Sequence, residues 1–233
     1  MLSFILMFTL FFALADSRVR TSGRLIARPR IEKCNARPKH YLDKRTGHYY
    51  FFSGKTDYGS YEASWLDARN ICREMCMDLV SLETSEENMM VEAVIKQYEV
   101  DDIWTSGRLC NFHGCDAPHL QPKNIKGWFW SGSGSSIPPT NETAPGWKDN
   151  PWSDTGFLSQ FVSKPVPQPD NAEYLLQRSG VTIEACLSVQ NNWYSDGIEW
   201  HDAACYRTKQ FICEDSDVMM NFMKKTHPNF VLR

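Results

Sequence analysis

Eight cysteines downstream of an apolar leader limit what this chain can fold into more than any other feature. They stand at positions 34, 72, 76, 110, 115, 186, 205 and 213. Residues 1–14 are almost wholly apolar, from Met1-Leu2-Ser3-Phe4 to Ala13-Leu14, and Ala13-Leu14-Ala15 has the small-x-small pattern of a cleavage site. The first residues lack the Lys or Arg usual in such leaders, but the apolar run falls short of the ~20 residues a membrane span needs. The reading is a signal peptide over 1–15 and a secreted, extracellular product with no membrane span. In an oxidising compartment the cysteines form a disulfide framework rather than a set of catalytic thiols. Eight cysteines allow about 105 pairings, so their number does not choose one.

Of the 233 residues, 42% are hydrophobic and 23% charged, which fits one globular domain with extensions and a sizeable core. A net charge of −3 argues against nucleic acid or an anionic membrane as the main partner. Charge is uneven, however. Residues 16–33 hold Arg18, Arg20, Arg24, Arg28, Arg30 and Lys33 against Asp16 and Glu32. Such a segment reads as a solvated, disordered leader, with a polyanion-binding arm or processing segment as the sharper alternative. No Gly-x-Ser-x-Gly elbow, zinc-protease helix or phosphate loop occurs, so an enzyme is not expected.

The aromatic run Gly47-His48-Tyr49-Tyr50-Phe51-Phe52 reads as a strand. Trp65, Ala68, Ile71, Cys72 and Met75 recur at helical spacing behind Ser64 as N-cap, with Asp67 three residues on. Asp78 to Leu82 reads as a short extended link. Thr84-x-x-Glu87 announces a second helix carrying Met90, Val91, Val94, Ile95 and Tyr98. Strand signals follow at Ile103–Gly107, Trp128–Trp130, Ala185–Val189 and Gln210–Cys213. Between them, residues 131–183 are rich in Gly, Pro, Ser and Asn and lack periodicity, a length of loop that compact domains keep for function. The tail from Asp215 to Arg233 carries no evident core role.

Within 168–213 the chain gathers Gln168-Pro169-Asp170, Glu184-Ala185-Cys186, Trp200-His201-Asp202, Cys205 and Phe211-Ile212-Cys213. Hard oxygen donors of this kind suit Ca²⁺, which takes about six to eight oxygens. The arrangement resembles the C-terminal half of a C-type lectin-like domain, the secreted arthropod members most of all, and the resemblance runs from about Tyr49 to Cys213. It implies an α+β, disulfide-stapled fold, with two helices packed on antiparallel strands and a long irregular binding loop. The expected organisation is a signal peptide over 1–15, a basic segment over 16–40, the lectin-like domain over 41–215 and a tail over 216–233.

The resemblance also implies the bridges Cys72–Cys213 and Cys186–Cys205. Cys110 and Cys115 are near enough to close a local loop, which leaves Cys34 with Cys76. In the family the motif proline is cis and the residues flanking it bind metal and sugar together. That makes Gln168, Asp170, Glu184 and Asp202 the implied Ca²⁺ ligands and sugar contacts. His201 stands where the family has asparagine. It is counted with the carbohydrate-binding residues but not the metal ligands, since imidazole is a poor ligand for a hard cation. Gln-Pro-Asp resembles the galactose-type motif, as against Glu-Pro-Asn, because exchanging acid for amide reverses which side donates hydrogen bonds. Galactose-preferring relatives stack the sugar on a tryptophan just after the motif. Here Asn171 and Ala172 follow, and Tyr174 or Trp193 is the substitute.

The expected function is a secreted carbohydrate-binding lectin, Ca²⁺-dependent and galactose-type, serving glycan recognition or innate immunity. The alternative is a metal-independent module for extracellular protein ligands or matrix adhesion. Cys110, His113, Cys115 and His119 could form a zinc set, but a secreted chain favours the disulfide. Asn141-Glu142-Thr143 is a glycosylation sequon in proline-rich, exposed surroundings.

Overall fold

Local chemistry starts both long helices. In the computed structural model, which describes residues 25–55, 61–160, 162, 164–173, 183–229 and 231, Ser64 accepts the Asp67 N–H at 3.4 Å and opens Trp65–Glu74. Thr84 accepts the Glu87 N–H at 3.3 Å while Glu87 accepts the Thr84 N–H at 2.9 Å, a capping box that opens Ser85–Tyr98. The apolar leader with its cleavage site, residues 16–24 of the basic segment and Tyr174 lie outside the described residues.

In chain order the helices are α1 (Ile31–Asn35), α2 (Trp65–Glu74), α3 (Ser85–Tyr98), α4 (Lys123–Lys126) and α5 (Asp217–Thr226). The strands are β1 (Tyr41–Leu42), β2 (Tyr49–Phe52), β3 (Met77–Leu79), β4 (Asp102–Leu109), β5 (Trp128–Trp130), β6 (Cys186–Asn191), β7 (Ile198–Ala203) and β8 (Gln210–Asp215). They form one α+β sheet ordered β1-β2-β8-β4-β6-β7, with β3 on β8 and β5 on β4. Among the described residues, every pairing of these strands is antiparallel except β4 with β8, which run parallel through Ile103–Gln210 and Trp104–Phe211. A parallel pair needs a long crossover, and the loop region between these strands supplies it.

The core divides between the two long helices. Val91, Val94 and Ile95 of α3 pack with Trp128, Trp130, Leu187 and Trp200. Trp65, Ala68 and Cys72 of α2 pack with Trp104, Phe211 and Cys213. Buried indoles find partners: Trp65 Nε1 donates to Thr105 O at 2.8 Å, Trp104 Nε1 to Ala63 O at 3.1 Å, and Trp200 Nε1 to Asn88 Oδ1 at 2.8 Å. The last bond ties β7 to α3. The cysteines pair as Cys34–Cys76, Cys72–Cys213, Cys110–Cys115 and Cys186–Cys205. With both sulfurs of the 110–115 loop in a bridge, His113 and His119 have no thiolate beside them.

Both flanks of residues 41–215 add to the packing, which corrects the expectation that the C-terminal stretch has no core role. Ser216 caps α5, whose Met219 and Met223, one turn apart, bury against the Cys34–Cys76 bridge. On the N-terminal side Arg37 pairs with Asp215 at 2.8 Å with both side chains 3% exposed, and donates to Cys34 O at 3.2 Å. Among the described residues, no helix is long and apolar enough to cross a membrane.

Candidate functional site

The β6–β7 hairpin and one loop bring the acids together. Register pairs Cys186 with Ala203 and Leu187 with Asp202, and the Cys186–Cys205 bridge clamps the same end. Glu184, two residues ahead of β6, therefore enters beside the strand that carries Asp202. The loop over 168–173 then lays its backbone on these two acids. Asp202 accepts the Asp170 N–H at 3.1 Å on Oδ1 and the Asn171 N–H at 3.0 Å on Oδ2. Glu184 Oε2 accepts the Glu173 N–H at 3.2 Å, and Glu184 N–H donates back to Asn171 Oδ1 at 3.0 Å. Asn171 sits at φ 48°, the left-handed region that asparagine tolerates better than most residues.

Oxygens of Asp170, Glu184 and Asp202 lie within 4.8 Å of one another. They open on a cavity of about 510 Å³ that His201, Trp193 and Arg207 also line. Trp193 is 56% exposed and presents an aromatic surface to that cavity. Gln168 reaches the cluster from the other side of a cis Gln168–Pro169 bond. A Cβ added at Gly156 would overlap the Gln168 amide nitrogen and stand 2.6 Å from Asp170 Oδ2, so these two side chains meet over Gly156 and would have to shift for a larger residue there. Gln168 is 4% exposed and its Oε1 has no hydrogen-bond partner, although it faces a smaller neighbouring cavity of about 300 Å³ shared with Asn141. Asn141 itself is exposed in a turn.

Crowding of like charge in a dry place raises the acids' affinity for protons. Burial, with the charges of Asp170 and Glu173 behind it, pushes the Glu184 carboxyl up to about 7. Burial first, then Glu184 and Asp170, holds Asp202 well above the usual carboxylate range. Three convergent carboxylates are hard oxygen donors of the kind a divalent cation takes, so Asp170, Glu184 and Asp202 fit Ca²⁺. His201 is placed differently. It is buried, its Nε2 lies 2.9 Å from Asp196 Oδ2, and its ring packs on Tyr194. Burial lowers its pKa despite the opposing carboxylate. It forms part of the cavity wall, apart from the three-acid cluster.

Several contributors escaped sequence reading. Asp196 anchors both His201 and, at 2.6 Å, the Ser153 hydroxyl. Glu173 joins Tyr206, whose hydroxyl donates at 2.9 Å, to Arg207 across the cavity mouth. Nothing in the local pattern marks these residues. Only Asn171, directly behind the Gln-Pro-Asp motif, carries a local signal, its tolerance of left-handed backbone.

No protein-family profile and no curated protein matches the chain. Among solved structures it is similar to human lithostathine at 18% identity over 78% of this chain and 93% of that one, with a TM-score of 0.44. A mouse scavenger receptor C-type lectin carbohydrate-recognition domain aligns at 20% identity over 77% and 97%, with a TM-score of 0.45. The trimeric Kupffer cell C-type lectin receptor aligns at 20% identity over 78% and 84%, with a TM-score of 0.46.

Proposed function

We propose that this chain is a secreted carbohydrate-binding module of C-type lectin-like type that takes galactose-like glycans in a Ca²⁺-dependent manner. The observation that carries the reading is the convergence of Asp170, Glu184 and Asp202 beside Gln168. Those four residues would hold the ion, which supplies a site for sugar hydroxyls when bound. The chain's own part is to orient the acids through the Asp202–loop hydrogen bonds and to offer Trp193 as an apolar surface for the sugar ring. His201, fixed by Asp196, closes the wall where the family's asparagine stands. Retention on a galactose matrix that is lost with chelator and with Asp170→Ala is the expected result. Retention indifferent to both would refute it.

One feature favours a second reading. Asp202 spends both oxygens on backbone N–H groups, so it also serves as a brace for the loop. A metal-independent adhesive module follows if calorimetry with Ca²⁺ yields no binding heat while the chain still retains an extracellular protein partner.

A further inference from the structure

A second cavity, separate from the acid cluster, has walls of a different kind. It encloses about 280 Å³ between the loop around 136–151 and the body of the fold, and Trp130, Trp147, Trp152 and Trp200 line it. The indoles of Trp130, Trp147 and Trp152 stand at 83°, 81° and 75° to that of Trp200, with centroids 5.3, 5.5 and 5.9 Å away. Three rings set edge-on to Trp200 around one space wall it with indole surface. Prolines from the loop, including Pro138 and Pro145, complete an apolar wall, and two carboxylates, Glu83 and Glu142, stand in the lining. Among the described residues, no lysine or arginine lines it.

We infer that this cavity binds a small organic cation with an apolar body, a quaternary or methylated ammonium. The ring faces attract such a cation through their quadrupoles, and it sheds its weak hydration at little cost. Glu83 and Glu142 add the matching charge. A neutral apolar ligand would fill the volume but leave the charge unused.

Choline is the probe, with 3,3-dimethylbutan-1-ol as its uncharged isostere, titrated calorimetrically into the full chain with chelator present so that the acid cluster plays no part. Saturable binding of choline about tenfold tighter than the isostere is expected. Trp147→Ala, which removes the least buried wall, should weaken choline at least tenfold. Glu142→Gln, at an exposed position that leaves the fold intact, should weaken it severalfold at low salt and less at high salt. A parallel titration with phosphatidylcholine vesicles tells a free ammonium from a lipid headgroup, and saturable binding in either arm supports the inference. Absence of binding in both arms, equal affinity for the isostere, or a Glu142→Gln variant that binds choline as the parent does would overturn it.

Discussion

Glu184→Gln offers a direct test of the acid cluster, because it removes one charge while keeping side-chain length and an oxygen for the Glu173 N–H. A carboxyl held at about 7 rather than 4.5 is disfavoured in its charged form by about 3 kcal/mol. Coulomb's law gives a similar size, about 3 kcal/mol for like charges separated by 4.8 Å at an effective dielectric near 20. The folded pKa is raised above the unfolded one. Its contribution is therefore fully present below the ordinary carboxylate value and is lost as pH rises through about 7. In chelator, the parent should lose melting temperature between about pH 5 and pH 8 relative to the variant. At roughly 2–4 °C per kcal/mol the two should part by several degrees at the alkaline end, with the variant the more stable. Calcium should close most of that gap. A ligand at a hundred times its Kd contributes about 2.7 kcal/mol to the parent, and the variant, short of one anionic ligand, should gain far less. Thermal melts across that pH range, with chelator and with saturating calcium, read both effects. Parallel pH slopes in the two proteins, or equal calcium-induced shifts, would refute the electrostatic account of the site.

The two large bridges should separate by what they hold. Cys72–Cys213 spans 141 residues and Cys186–Cys205 spans 19. Chain entropy then puts their removal at about 5 and about 3 kcal/mol in urea titrations, with galactose retention failing first in Cys186→Ser. Arg37→Met should cost about 3–5 kcal/mol by leaving the buried Asp215 unpaired, and adding Asp215→Asn should restore much of it. A double variant no more stable than the single would argue against a buried ion pair. His48 donates toward Glu214 at 3.0 Å, and that bond, ahead of the opposing burial, raises its pKa. Its stabilisation is present below the ordinary histidine value and fades as pH rises through the raised one, so His48→Gln should flatten that stretch of the stability–pH curve.

The elements most legible in the sequence are those whose causes lie within one turn of helix or one strand. Ser64 with Asp67 and Thr84 with Glu87 start their helices through bonds three residues long. The aromatic run before Ser53 and the Trp128–Trp130 triplet become strands because large flat side chains pack on a pleated surface. The tail was harder to read. Met219 and Met223 make an apolar stripe too short to distinguish from chance until Cys34 and Cys76 are seen to lie beneath it.

The acid site sits at the other extreme. Residue chemistry and a resemblance named Asp170, Glu184 and Asp202 as oxygen donors, but no periodicity links positions 32 residues apart such as Asp170 and Asp202. Their meeting depends on hairpin register, on the loop's backbone donating to Asp202 and on the close approach over Gly156. The tryptophan cage is further still from the primary structure, with walls drawn from β5, β7, the loop between β5 and β6 and the link between β3 and α3. Sequence by itself determined which atoms were on offer and where the helices and strands begin, because those effects act over a few bonds. Tertiary structure alone decided which atoms face one another, since a loop of this length has many paths and only long-range packing selects one.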